Sequence, residues 1–308
     1  MVLHTSNFSI VYDLPHHIQY FDKSMNNLYG NSNFNNLLQE CYLARTSILS
    51  GIEYLLKAEI FDAHNDGLFY SSFFSLSIGI ERFLKITLVT EYMYTNDYNK
   101  VPENWLKNLS HDLIKLFDEC NKITIKHNIK IESLGNTDEI NYKIINHLSK
   151  YAKYNRYQNL DDLTDKFSKS KYKKDLHPIH EWVLISKKIT EQNISKNKYE
   201  SGLSKFIEQY PHHGYSYYLD FDGQALHTTD LFAYKFIVNK AKPLILFRLI
   251  QLLKPFYELL NQISLDCNNG PNSDLTGLVK LPYYGELFPF FYIQLNQLKR
   301  NKNWVDRY

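Results

Sequence analysis

Few residues of this 308-residue chain could do chemistry together. Arg82 and Arg156 are cations able to bind phosphate oxygens, and His111 can accept and return a proton near neutral pH. Glu81 and Asp112 are carboxylates adjacent to them in sequence, and Lys85 adds a cation one helical turn beyond Glu81. If their helices pack as neighbours, Arg82, His111 and Arg156 would converge as one base and two phosphate-binding cations, oriented by Glu81 and Asp112. Each residue has a plainer role open to it. Glu81 and Lys85, four apart, could form an ion pair on the exposed stripe of a helix. His111-Asp112 could serve packing and capping at a helix start. Arg156 could be a loop residue tied to Asp161 or Asp162.

These residues must be positioned by helices. From Phe69, the apolar residues Phe73, Leu76, Ile80, Phe83, Leu84 and Leu88 recur at steps of mostly three and four, the period of one helix face. The spacing predicts a long helix reaching about Tyr94, with Glu81, Arg82 and Lys85 in its middle. A near-copy lies upstream: Gly51-Ile52-Glu53-Tyr54-Leu55-Leu56-Lys57 matches Gly79-Ile80-Glu81-Arg82-Phe83-Leu84-Lys85 in pattern. The two stretches are expected on an antiparallel hairpin broken at His64-Asn65-Asp66-Gly67, with their glycines allowing close approach. The first of these helices is expected from about Phe34 to His64. A proline-started helix follows from Pro102 to about His127 and carries the His-Asp pair. Another spans about Asp138–Tyr151, with Thr137 as its N-cap.

The later chain is also mostly helical by pattern. His177-Pro178-Ile179-His180-Glu181 opens a helix running to about Tyr199. Tyr215–Phe221 has strand composition and Asp222-Gly223 is a turn signal, so a small hairpin is expected. Leu231–Leu265 is apolar and long, with Thr228 or Thr229 as cap. Pro243 and Pro255 within it predict two or three helical pieces. The fold class is therefore all-α: a multi-helix bundle built on a long antiparallel hairpin, with a small irregular or β-hairpin insertion. The expected organisation is an arm over 1–32, a bundle over 33–165, a basic linker and inserted lobe over 166–227, and C-terminal helices over 228–308.

Composition excludes several classes. The net charge of +2 leaves no global electrostatic footprint for nucleic acid. Cys41, Cys120 and Cys267 lie far apart, without zinc spacing or an even disulfide framework, which fits a reducing cytoplasm. No apolar core follows a positive start, so no signal peptide is expected, and charges interrupt every stretch long enough to span a membrane. No GxGxxG, GxxxxGK, GxSxG or HExxH motif occurs, and no strand–helix alternation supports a parallel sheet. In Lys166–Lys174, Lys169, Lys171, Lys173 and Lys174 could contact phosphates, or form a solvated linker. His177 and His180 could share a metal, but no partner stands at a diagnostic spacing. A capping or core role is expected for them, and no metal or cofactor is expected.

Taken together, Gly79–Lys85 on a long hairpin, the Ser110-His111-Asp112-Leu113-Ile114-Lys115-Leu116 opening and Lys153-Tyr154-Asn155-Arg156-Tyr157 resemble the HEPN superfamily of helical-bundle proteins. The likeness is best over Phe34–Tyr157 and weaker from Leu281 on. It implies a bundle of four or more helices that often dimerises. Many such proteins are metal-independent ribonucleases of toxin–antitoxin, abortive-infection and other antiphage systems; others bind nucleotides or act as partner subunits. The nuclease members carry Arg, four to six residues, then His on one helix. None of the six arginines here, Arg45, Arg82, Arg156, Arg248, Arg300 and Arg307, is followed by His at that spacing. The resemblance thus implies a binding or regulatory component of an antiphage or toxin–antitoxin system, with a partner from the same operon or a homodimer mate. The alternatives are an RNA-cleaving effector with Arg82, His111 and Arg156 at a displaced site, or an unrelated helical scaffold for protein–protein interaction.

Overall fold

A computed structural model describes residues 32–62, 64–153, 156, 160, 163, 177–210, 214–221, 223–269, 280–301 and 303–308. The fold is an all-α bundle with one small hairpin. Helix α1 spans Ser32–Lys57 and α2 spans Gly67–Thr95, and they form the expected antiparallel pair. On α1 the buried residues Leu37, Cys41, Ala44, Ile48, Ile52 and Leu55 follow steps of three and four, so one stripe faces the core. α1 stops at Lys57, before the expected His64. Lys242 supplies a reason: its buried ammonium donates to the carbonyls of Leu56 (3.3 Å) and Ala58 (2.6 Å), which have no further helical partner.

The two glycines do set the helix separation. A Cβ on Gly51 would stand 2.6 Å from Leu76 Cγ, and one on Gly79 would stand 2.8 Å from the Ile48 backbone nitrogen. Each glycine thus admits a residue three positions before the other. Ser72 Oγ donates across the same crossing to the Gly51 carbonyl at 2.7 Å, satisfying a hydroxyl that is wholly buried.

The helix expected over Pro102–His127 is two. α3 covers Glu103–Lys107 behind Pro102, and α4 covers Leu113–Lys126. Between them Ser110 adopts φ +52°, a left-handed conformation that turns the chain. Asp112 restarts the helix by accepting from the amides of Ile114 (3.1 Å) and Lys115 (3.2 Å). Helix α5 is Ile140–Lys153. Asn136, and not Thr137, accepts from the Asp138 amide at its entry.

The helix expected from His177 to Tyr199 is likewise two, α6 (Pro178–Asn193) and α7 (Lys196–Ile207), because Ile194 is extended. α6 places Ile179, Trp182, Val183, Ile185 and Ile189 in the same core as α1 and α2. The hairpin is present, with β1 (Tyr215–Leu219) antiparallel to β2 (Ala225–His227). His227, rather than Thr228 or Thr229, accepts from the Thr229 amide at the start of the next helix. That helix, α8, runs unbroken over Thr228–Asn269 through both prolines. Each proline costs about 3 kcal/mol in a helix interior. Burial of Ile245, Leu246, Leu252, Leu253 and Phe256 beside them outweighs that, at about 1.5–3 kcal/mol per side chain. The chain closes with α9 (Tyr284–Leu287), a 3₁₀ turn at Pro289–Tyr292 and α10 (Leu295–Arg300). Among the described residues, no helix is long and apolar enough to cross a membrane.

Candidate functional site

Arg82, His111 and Arg156 line one cleft, of about 730 Å³. α2 contributes Ile78, Glu81, Arg82, Lys85, Ile86, Val89 and Met93, a stripe of i, i+3, i+4 spacing. α1 contributes Asn33, Asn36, Leu37 and Glu40. Lys100, Val101 and Leu106 come from the α2–α3 turn and α3, His111 from the α3–α4 break, and Ala152 and Arg156 from the end of α5 and just beyond it. The volume falls within the range of small-molecule sites. Among the described residues, four cations face two carboxylates over an apolar floor.

The His111 ring is held by Glu81. Nδ1 lies 3.0 and 2.9 Å from the two carboxylate oxygens. An ionised carboxylate only accepts, so Nδ1 carries the proton and the Nε2 lone pair belongs to the neutral ring. The His111 side chain is 65% exposed while Glu81 is 13% exposed, so the imidazole faces the opening and its anchor lies beneath it. Glu81 Oε1 also accepts from Lys85 Nζ at 2.7 Å. Glu81 and Lys85 therefore form the expected pair, in the cleft wall.

Arg82 reaches across to α1 and pairs with Glu40. Arg156 donates to the Ala152 carbonyl at 2.7 Å and holds its guanidinium 5.7 Å from the centre of the Phe74 ring. Asp161 and Asp162, expected as its partners, lie outside the described residues.

Asp112 does not orient His111. Besides capping α4 it pairs with Lys153 and stands 3.4 Å from Ser149 Oγ, and it lines a separate shallow hollow. Burial pushes its carboxyl upward, but the Lys153 ammonium and the Lys115 and Ile114 amides outweigh burial and hold it below the usual carboxylate range. Its packing role is the capping one considered from the sequence.

Other candidates are committed elsewhere. His177 caps α6 through Ile179 N at 3.3 Å and meets Tyr70 Oη at 3.3 Å. His180 stacks on Phe221, with centroids 4.3 Å apart. Among the described residues, no cluster of three metal-ligating side chains occurs. Burial pushes the thiols of Cys41, Cys120 and Cys267 up, away from thiolate chemistry. Lys169, Lys171, Lys173 and Lys174 lie outside the described residues.

Sequence reasoning missed Glu40, Lys100, Asn33 and Asn36. Asn33, Asn36 and Glu40 share the polar face of an amphipathic helix, and from sequence that face reads as solvent-facing. Only the register of α1 on α2 turns it into a cleft wall. Compared with protein-family models, curated proteins and solved structures, the chain matches none.

Proposed function

We propose that the protein is an HEPN-like helical module whose cleft engages RNA, with His111 as the acid–base group of a metal-independent cleavage. The observation that carries this reading is the convergence of Arg82, His111 and Arg156 on one cleft, with the Glu81 carboxylate on His111 Nδ1. In such a step the neutral Nε2 takes the proton of a ribose 2′-hydroxyl. The resulting oxygen attacks the adjacent phosphorus, and the bond to the 5′-oxygen of the next nucleotide breaks. The proton is returned to that leaving oxygen. Arg82, Lys85 and Arg156 offset the negative charge that builds on the phosphoryl oxygens.

A second reading is binding without turnover, as a regulatory component of a bacterial antiphage or toxin–antitoxin system acting on a protein partner or a second copy. One observation favours it: Arg82 and Lys85 are already paired with Glu40 and Glu81, so a phosphate must compete with two carboxylates. One assay separates the readings. Purified protein is incubated with mixed transfer RNA and single-stranded RNA in EDTA, beside His111→Ala and Arg156→Ala. Cleavage that survives EDTA and is lost in either folded variant supports the enzyme. RNA left uncut by folded wild-type protein supports the regulatory module. A folded protein that neither cuts nor binds RNA contradicts the proposal.

A further inference from the structure

The cleft stripe of α2 does not end at Ile78. One turn earlier on the same face stands Phe74, a large apolar ring left 42% exposed. Few side chains of α2 are so open: Phe73, Ile80, Phe83 and Leu84 are all wholly buried. The Phe74 ring is paired with the Arg156 guanidinium at 5.7 Å, and Arg156 itself lines the cleft. An exposed aromatic ring beside a planar cation is the combination on which unpaired nucleobases stack. From these observations, and resting on the RNA reading above, we infer that Phe74 and Arg156 form a base-stacking platform at the cleft mouth, and that the ligand is single-stranded RNA more than one nucleotide long.

The length follows from helix geometry. Phe74 and Arg82 are eight residues apart on one continuous helix, about 12 Å along its axis. Successive stacked nucleotides advance about 3.4 Å. A base on Phe74 and a phosphate at Arg82 therefore belong to different nucleotides of one strand. Single-strandedness follows from stacking. In a duplex both faces of an internal base are already covered by its neighbours, so only an unpaired base offers a face to the ring. The charge along the track fits a polyanion, with Arg156, Arg82, Lys85 and Lys100 on the cleft wall.

The test is fluorescence anisotropy with a 5′-labelled single-stranded ten-nucleotide RNA carrying 2′-O-methyl groups, which blocks cleavage. A blunt duplex of the same sequence serves as control. Wild type is compared with Phe74→Ala, Phe74→Trp and Arg82→Ala, each checked for folding by circular dichroism. Phe74→Ala should weaken single-strand binding about tenfold and leave duplex binding unchanged. Phe74→Trp should retain wild-type affinity, and a 2-aminopurine in the strand should be quenched on binding by wild type but not by Phe74→Ala. Equal affinity of wild type and Phe74→Ala, with Arg82→Ala weakened, overturns the platform and leaves the RNA reading standing. No binding by wild type overturns both. A change in oligomeric state on Phe74→Ala, at unchanged RNA affinity, assigns the ring to a protein contact and also overturns the platform.

Discussion

The two halves of the central hairpin carry nearly the same seven residues and use them differently. In both, the glycine admits the partner helix, and Ile52 and Ile80 are buried to within 1%. In both, the glutamate accepts from a lysine four residues on, Glu53 from Lys57 at 2.6 Å and Glu81 from Lys85 at 2.7 Å. The difference lies in the second carboxylate oxygen. Glu53 Oε2 accepts the backbone amides of Trp304 (2.8 Å) and Val305 (3.2 Å), fastening the C-terminal tail. Glu81 meets the imidazole of His111 at the side of an open cleft. One local sequence thus yields a structural clasp where the C-terminal tail covers it and a candidate acid–base dyad where, among the described residues, it borders a cleft. The distinction comes from what the rest of the chain brings to each end.

The contrast can be broken from the clasp side first. Trp304 is wholly buried and its indole donates to the Asn301 carbonyl at 3.0 Å. Trp304→Ala should cost about 4 kcal/mol in urea unfolding while RNA binding at the cleft persists in the folded fraction. Loss of RNA binding in a still-folded variant would show that the two ends are not independent. Gly79→Val tests what the ends share. The new Cβ meets the Ile48 backbone, so stability should fall by about 3 kcal/mol, and Gly51→Val should behave alike. A neutral outcome at either glycine would mean the crossing is looser than its contacts indicate.

Glu81→Gln and Glu53→Gln sharpen the comparison. Glu81→Gln removes the charge under His111 and should slow RNA cleavage about tenfold to a hundredfold, with little change in melting temperature. Glu53→Gln should leave cleavage unchanged and cost about 1 kcal/mol. It should also flatten the acid limb of stability. The Lys57 ammonium, acting against burial and helped by the Trp304 and Val305 amides, holds the Glu53 carboxyl below its ordinary value. A lowered folded pKa gives stability that is complete above the unfolded value of about 4.3. That stability is lost as pH falls from there through the folded pKa. Urea midpoints at pH 7 and pH 3 should therefore drop further in wild type than in Glu53→Gln.

Sequence patterning carried the long elements well, and the reasons are physical. α1, α2 and the small hairpin follow from the apolar period, from two glycines that admit the facing helix, and from an Asp-Gly signal in the sequence. The breaks before α4 and α7 were not legible. Ser110 and Ile194 are not residues that force a turn, yet Ser110 adopts φ +52° and Ile194 is extended. The prolines of α8 misled for the converse reason, since burial outweighs their local cost. At the site, Glu81, Lys85, Arg82, His111 and Arg156 were visible as candidate groups. Asp112 was too, but its capping geometry claims it. Glu40 was invisible because only the pairing of α1 on α2 sets it beside Arg82.

The most direct test of the division between the two ends is photocrosslinking. A single-stranded RNA containing 4-thiouridine is irradiated with the protein, and the adducts are located by peptide mass. Adducts should fall on the α2 segment from Phe74 to Val89 and on the peptide containing His111, and the peptides containing Glu53 and Trp304 should carry none. Adducts concentrated on Leu281–Tyr308 or on the β-hairpin, with the α2 segment clean, would contradict the assignment of the Glu81 end as the RNA site.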